Sequence, residues 1–444
     1  VLNYYPVVHR FPTKNEKRKT GNEKRKAKNG LSPLRRNAAA EVSSRFIAMA
    51  EQQPPPLAGI KVVDLTRYFA GPFCTQILGD YGAEIFKIEP VENPRGELGA
   101  SQGPDNYFFL SANRSKKSLR VAIKKPEGRE ILMRLIDAAD VLVDNFRPGV
   151  MQALELDYET LALRNPRIIT CSISGFGSTG PLRDFPGFDQ IAQGMSGLMS
   201  VTGTVQSGPT RVGIAICDLL GGIFSAQGIL LALEARHRDG RGQRVETSLL
   251  ESIVSILTWS AGIYFETGKT PAPAGNHHPL VSPYGLFDAS DRPFNIACGN
   301  ETMWQNLVAA IGRPELAADD RFNSSGGRLK NRAALTMEIN RALAPHPAEH
   351  WIQLFNREGI PSGPILTIEE MFKHPQTAAR AMLLRMPHPE LGEYLTTGLA
   401  AKLEATPGRI TRPPLVGEHT DEVLAAHGYT PADLKRLRGS GTIA

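Results

Sequence analysis

The sequence predicts a doubly wound α/β fold, in which a parallel sheet carries helices on both faces beside a smaller α+β domain. Short β-rich runs alternate with helical stretches from Gly59 onward, the trace that parallel strands joined by crossover helices leave in a sequence. Between about Thr270 and Asp320 the texture changes to Pro, Gly, His and Asn with short strands, which marks a second domain. A length of 444 residues with 41% hydrophobic content is also more than one core usually fills.

The first unit is Ile60-Lys-Val-Val-Asp-Leu, a helix from about Gly71 to Tyr81, and Ala83-Glu-Ile-Phe-Lys-Ile, which together read as βαβ. Pro126-Glu-Gly-Arg opens the next helix, because proline is suited to a first helical position. It leads to the strand Asp140-Val-Leu-Val-Asp-Asn and, after another helix, to Arg167-Ile-Ile-Thr-Cys-Ser-Ile. Val212-Gly-Ile-Ala-Ile-Cys reads as β-like and Leu219-Leu-Gly-Gly-Ile-Phe as the helix that follows it. In the second domain, Gly285-Leu-Phe and Phe294-Asn-Ile-Ala are the short strands, and helical character returns from about Arg328. Gly359-Ile-Pro-Ser-Gly-Pro-Ile-Leu reads as a turn and strand where the chain rejoins an α/β layer.

The net charge of +6 invites a nucleic-acid reading, but the excess is local. Residues 1–48 hold 12 Lys and Arg against 3 Asp and Glu, which leaves 39 basic and 42 acidic residues in the remainder. The body is therefore close to neutral. The tail repeats Asn15-Glu-Lys-Arg-Lys as Asn22-Glu-Lys-Arg-Lys with almost nothing apolar to bury. It reads as a disordered basic extension, either a solvated tail or an arm for nucleic acid. Cys74, Cys171, Cys217 and Cys298 lie far apart with no Cys-x-x-Cys pair, and the expectation is a reduced, cytoplasmic setting. The longest apolar run, Val212 to Leu233, is interrupted by Asp218, Gln227 and glycines, so a buried helix is expected rather than a membrane span.

Several classes of site find no support. The first βα turn, Thr66-Arg-Tyr-Phe-Ala-Gly-Pro, lacks Gly-x-Gly-x-x-Gly, and the chain has no Walker loop, no His-Glu-x-x-His and no clustered cysteine ligands. No metal is expected. Asp218 stands where the β-like run meets the helix, and that position has two readings. It is a preferred residue for capping a helix. It is also a carboxylate beside a helix N-terminus, where the field keeps it ionised and neighbouring amides stabilise oxyanions formed on it.

From about Leu57 to near the C-terminus the chain resembles the class III coenzyme A transferases of the CaiB/BaiF type. The resemblance is carried by Asp64-Leu-Thr with Ala70-Gly-Pro, Gly82-Ala-Glu-Ile-Phe-Lys-Ile-Glu, Asn113-Arg-Ser-Lys-Lys-Ser and Asp144-Asn-Phe-Arg-Pro-Gly. Ser174-Gly-Phe-Gly, Asp239-Gly-Arg-Gly-Gln and Pro414-Leu-Val-Gly-Glu-His-Thr-Asp follow in the family's order. It implies that Asp218 is the nucleophile, passing through an acyl-aspartyl anhydride and an aspartyl-CoA thioester. Coenzyme A and acyl-CoA enter as substrates, and no cofactor is tightly bound. The implied architecture is a Rossmann-like large domain in an interlocked homodimer. Its divisions here are a basic extension over 1–54, the first part of the large domain over 55–250, a linker helix and small domain over 251–340, and a return segment over 341–444.

The resemblance also implies coenzyme A contacts from Tyr68, Phe69 and Ala70 in the first turn, Lys124, and Asn145, Phe146 and Arg147. Aromatic faces suit adenine and cationic ends suit phosphates; ordinary packing and solvation are the other reading. Ala122 stands where an acidic residue is often found. Racemases of the same fold use a histidine before an aspartate about thirty residues ahead of the Asp218 position; here Phe188 precedes Asp189. A phenyl ring cannot exchange a proton, which favours the transferase reading. Asp189 is either a supporting group near the site or a cap. Gly275, Asn276, His277 and His278 lie where the family places a mobile loop over the acyl group, and the two histidines read either as acceptor-carboxylate ligands or as solvated turn residues. The loop's wording resembles the succinyl-CoA:dicarboxylate branch more than the oxalate enzymes.

Overall fold

The computed structural model describes residues 53–92 and 107–444. The expectations for the basic tail fall outside these residues. Six parallel strands form the main sheet: β1 (Lys61–Asp64), β2 (Glu84–Glu89), β3 (Lys117–Arg120), β4 (Val141–Asp144), β5 (Ile169–Ser174) and β6 (Arg244–Ser248), in the order β3-β2-β1-β4-β5-β6. Strand order reverses between β1 and β4, so the crevice at their carboxyl ends is the natural place for a ligand.

Adjacent residues of the central strands serve opposite faces. Val62, Val141, Val143, Ile169 and Cys171 join one core cluster, and Val63, Phe86 and Leu142 join the other. Burial on both sides explains why these strands read as continuous apolar runs rather than alternating ones. Helix α1 (Ala70–Asp80) packs on the first face, and α2 (Pro126–Asp137) and α3 (Tyr158–Arg164) on the second. In α2, Pro126 occupies the first turn and Ile131, Leu132, Leu135 and Ile136 form the buried stripe, each contributing roughly 1.5–3 kcal/mol of transfer free energy.

Helix α4 (Asp189–Met195) leads through a short helical turn, Leu198–Val201, and a loop to α5 (Ile216–Asp239), the longest helix described. Arg236, His237 and Arg238 in its last turn complement the helix dipole, and Gly240 ends it at φ 73°. Alone among the described residues, α5 is long and apolar enough to cross a membrane. Its inner face, with Gly221, Gly222, Ser225, Ala226 and Ile229, is nevertheless buried in the core of the α/β layer. A Cβ on Gly222 would lie 2.7 Å from the Ala70 carbonyl oxygen, so glycine is what permits α1 and α5 to approach.

Two expectations about the chain path are corrected. Val212 to Cys217 forms no strand: Ile216 and Cys217 open α5, and the backbone before them is held by a side chain. The Val212 amide donates to Gln193 Oε1 at 2.9 Å, and Gln193 Nε2 donates to the Ile214 carbonyl at 3.3 Å. A β-branched apolar run is thereby fixed as a loop. Gly359 to Leu366, read as rejoining the α/β layer, instead supplies a short strand, Ser362–Pro364, to a second sheet.

That second sheet is antiparallel, with β7 (Tyr284–Asp288), β8 (Pro293–Ala297) and β9 (Ser362–Pro364). After α6 (Thr258–Thr267), the helices α7 (Glu301–Ala310), α8 (Arg332–Leu343) and α9 (Ala348–Arg357) complete it. Helical structure thus begins well before Arg328. One core joins Phe287, Phe294, Trp304, Leu335, Trp351, Phe355 and Ile360. This core runs past residue 340, through Trp351 and Phe355 of α9 to Ile360. A hairpin of β10 (Leu383–His388) and β11 (Gly392–Thr397) follows, and the Tyr394 hydroxyl donates to the Leu110 carbonyl at 2.7 Å. Helices α10 (Thr420–Ala426) and α11 (Pro431–Gly439) then place Val423, Leu424 and Leu437 in the same core cluster as Val63 and Leu119.

Candidate active site

At the carboxyl end of β1, Asp64 is fully buried. Its Oδ1 accepts the Thr66 amide at 2.8 Å, and its Oδ2 accepts Thr75 Oγ1 at 2.6 Å and Lys116 Nζ at 3.1 Å. Lys116 also donates to the Pro72 carbonyl at 2.8 Å and Asn113 Oδ1 at 2.9 Å, while Lys87 donates to the Thr66 carbonyl at 2.8 Å. Burial alone would raise the Asp64 carboxyl. The charges of Lys87 and Lys116 and two hydroxyl bonds overcome it and hold Asp64 well below the usual carboxylate range. Burial brings the Lys116 ammonium down to about 7 despite its carboxylate partner.

This network fixes the first βα turn. Gly71 is required there, since a Cβ would lie 2.4 Å from Thr66 Cβ, and Tyr68 takes φ 63°. The turn after β4 is tied to it by a reciprocal pair: the Arg67 amide donates to Asn145 Oδ1 at 2.8 Å, and Asn145 Nδ2 to the Arg67 carbonyl at 2.6 Å. Two turns on either side of the strand-order reversal are thus held in register by one amide side chain. Beneath them Asp144 accepts Ser172 Oγ at 2.6 Å and the Phe146 amide at 3.1 Å, and burial pushes its carboxyl up to about 6.

Asp218 is the third residue of α5, in its first turn. It does not cap the helix: the N-cap is Ala215, with no side-chain cap bond. Its carboxylate forms no hydrogen bond or ion pair among the described residues. Burial, and secondly the charge of Asp189, push it up to about 7, which corrects the expectation of a carboxylate kept fully ionised at neutral pH. The expected bank of open amides is also reduced. The Cys217 amide donates to Asp189 Oδ1 at 2.8 Å, that of Ile216 to the Ile214 carbonyl and that of Leu219 to the Ala215 carbonyl.

Asp189, first residue of α4, caps not its own helix but the start of α5 through that Cys217 bond. Its Oδ2 accepts Gln193 Nε2 at 2.7 Å. The two expected roles, cap and neighbour of the site, are therefore one contact.

A cavity of about 190 Å³ brings Asp218 together with Tyr68, Phe69, Ala70, Asn145, Phe146 and Arg147. The remaining sequence candidates lie elsewhere. Lys124 is exposed in the turn after β3 and lines neither this cavity nor the adjoining one. His277 and His278 pack on the second sheet. His277 stands edge-on to Phe287, His278 stacks against Trp259, and the His278 amide donates to the Tyr284 carbonyl at 2.8 Å. Burial and Arg332 hold the His277 imidazole below its usual range. Gly275 is bonded through its amide to the Gly203 carbonyl at 2.8 Å, and none of the residues 275–278 lines the Asp218 cavity within one chain. Phe188, at the racemase histidine position, meets Tyr68 edge to face at 5.8 Å between ring centres.

Ser174 and Gly175, quoted above only as part of a family motif, and Arg183, not singled out from the sequence, also line the cavity. A Cβ on Gly175 would lie 2.6 Å from Gly187 Cα, so paired glycines let the loop after β5 fold back over the strand ends. The legible signal was the glycine at each end of that loop. A second cavity of about 280 Å³ shares Phe146, Arg147, Pro148, Ser174 and Arg183 with the first.

A carboxylate without partners, set at the switch point of a parallel sheet between aromatic and arginine side chains, has the form of a group-transfer site. The profile of CoA-transferase family III matches residues 57–420, and the chain belongs to that family. It is 43% identical to an acetyl-CoA:oxalate CoA-transferase of Acetobacter aceti over 74% of this chain and 86% of that one. It is 36% identical to a succinyl-CoA:glutarate CoA-transferase of Mus musculus over 87% and 90% respectively. A CaiB/BaiF family protein of Brucella suis superposes with a TM-score of 0.74 at 36% identity, covering 84% of this chain and all of that one. The protein is an enzyme of the CoA-transferase class.

Proposed function

We propose that the protein moves coenzyme A from an acyl-CoA, succinyl-CoA in the leading case, to a free dicarboxylic acid through covalent intermediates on Asp218. An Asp218 oxygen attacks the thioester carbonyl; the C–S bond breaks, leaving an acyl-aspartyl anhydride and CoA thiolate. The thiolate attacks the aspartyl carbonyl of the anhydride, releasing the first acid and forming an aspartyl-CoA thioester. The second acid repeats the steps in reverse. Each half-reaction, taken through its anhydride, replaces one thioester by another and one free carboxylate by another, so nothing in the cycle calls for ATP or a metal.

The observation that carries this reading is the unpartnered Asp218 carboxylate facing the cavity beside Tyr68, Phe69, Asn145 and Arg147. The dicarboxylate class is supported by the mouse relative, which spans most of this chain. Oxalate, the acceptor in the Acetobacter name, is the shortest member of the same class. Incubation with succinyl-CoA followed by hydroxylamine trapping and peptide mass spectrometry should find the modification on Asp218 and none in Asp218→Asn. A wild-type enzyme that turns over without a modified Asp218 refutes the mechanism.

The reading extends to a cytoplasmic homodimer of interlocked rings with the small domain between the two parts of the large one. Its support is the exposed apolar side chains of α5 and α6, including Ile223, Leu231, Trp259 and Phe265, which a partner surface would cover. All four cysteines are free and buried, which suits a reducing compartment.

A further inference from the structure

The Asp218 cavity has two cationic walls, Arg147 and Arg183. They stand on different elements: Arg147 follows β4 in the turn that Asn145 ties to the first βα turn, and Arg183 belongs to the loop after β5. That loop runs on to Asp189, whose carboxylate holds the Cys217 amide at 2.8 Å, one residue before the nucleophile. Arg183 is thus on the segment directly connected to the start of α5.

We infer that Arg183 is the residue that selects acids with a second carboxylate, by pairing with the carboxylate that is not undergoing transfer; this rests on the transferase reading above. Its guanidinium is available for the purpose. Nε bonds the neighbouring Asp184 Oδ1 at 3.3 Å, and Nη1 and Nη2 have no partner among the described residues. Two adjacent N–H groups in one plane match a carboxylate edge. The other arginine nearby, Arg244 of the adjoining cavity, is already taken by Glu246 Oε2 at 2.9 Å and Ser178 Oγ at 2.9 Å. Arg147, which also lines the cavity, stands in the turn that the family resemblance assigns to the coenzyme A donor. His277 and His278, the sequence candidates for acceptor recognition, are outside the cavity and engaged with aromatic side chains.

Glutarate and valerate differ in one terminal carboxylate at equal chain length, so they isolate the interaction. With saturating succinyl-CoA as the common donor, the full-length enzyme should show a higher kcat/KM for glutarate than for valerate. Arg183→Gln should lower that ratio about ten- to a hundredfold, the range for losing a charge-assisted hydrogen-bonded pair. Arg183→Lys, which keeps the charge and loses the fork, should fall between. Arg183 is exposed, so the substitutions leave the core intact. The inference is overturned if Arg183→Gln lowers both acids by the same factor, as a donor-phosphate or structural role would, or if wild type does not distinguish the two acids. A wild type that transfers to neither acid and carries no label on Asp218 removes the transferase reading, and this inference with it.

Discussion

Asp218→Asn should make the protein more stable while abolishing its chemistry. The Asp218 carboxyl has an ordinary value of 3.8 and is pushed up to about 7 in the folded chain by burial and by Asp189. Its folded value lies above its unfolded one, so the folded state holds the proton more tightly. The stability this contributes is complete below about pH 4 and is lost as pH rises towards 7, where the unfolded chain ionises freely and the folded chain resists. At about 1.4 kcal/mol for each tenfold change, ionisation above pH 7 costs about 4 kcal/mol, and about half that once the solvent-reaching side of the carboxylate is discounted. An asparagine of the same shape never ionises. Asp218→Asn should therefore exceed wild type by about 2–4 kcal/mol at pH 8, a Tm rise on the order of 5 °C, and the difference should vanish near pH 4. Thermal denaturation of both proteins at the two pH values, without substrate, measures it. An equal Tm at pH 8, or a gap that does not close on acidification, would show that Asp218 is not held in a strained ionised state.

The same carboxyl sets a pH dependence of rate. kcat/KM should rise with pH through about 7 as Asp218 becomes the nucleophilic anion, and Asp189→Asn, which removes a like charge, should move that limb to lower pH; an unmoved limb in the variant assigns it to another group. Gly222→Ala should act on geometry instead. The added Cβ would sit 2.7 Å from the Ala70 carbonyl and 3.2 Å from the Cys74 amide, forcing α5 away from α1 at a cost of about 1–3 kcal/mol. Because α5 carries Asp218 and Ala70 lines the same cavity, kcat should drop more than the stability loss alone would cause, and unchanged kinetics would disprove that the two helices jointly set the site.

The parallel strands were legible because burial on both faces leaves unbroken runs such as Val62-Val63 and Val141 to Val143, which few other structures tolerate. Val212 to Cys217 was misread for a related reason. Composition records that a segment is apolar and β-branched, not that Gln193 from another element has taken its backbone hydrogen bonds. The extent of the smaller unit was hidden likewise, since Trp351 and Phe355 carry helical spacing whichever core they enter. Within the site, the turn residues Tyr68 to Ala70 and Asn145 to Arg147 were marked by the family resemblance, and Asp218 by that resemblance together with its place at the head of an apolar helix. The loop residues 275–278 were marked by the family resemblance, and within one chain His277 and His278 pack against Phe287 and Trp259.

On the proposed mechanism, the arrangement also accounts for the choice of this carboxylate among several buried ones. Asp64 lies at the same end of the sheet but has two lysines and two hydroxyls upon it, so its charge is fully committed and its lone pairs are occupied. Asp144, one strand over, is held by Ser172 and the Phe146 amide and sits near 6. Asp218 is raised further and has no partner to satisfy it. A bond to an electrophilic carbonyl removes its charge from a site where that charge is costly, so ester-like intermediates gain the energy that ionisation lost. Adding a cation beside it would lower its value and make the anion easier to form, while making it a poorer nucleophile. In the proposed cycle Arg147 and Arg183 serve the donor and the acid, and Asp218 has no ion-pair partner among the described residues.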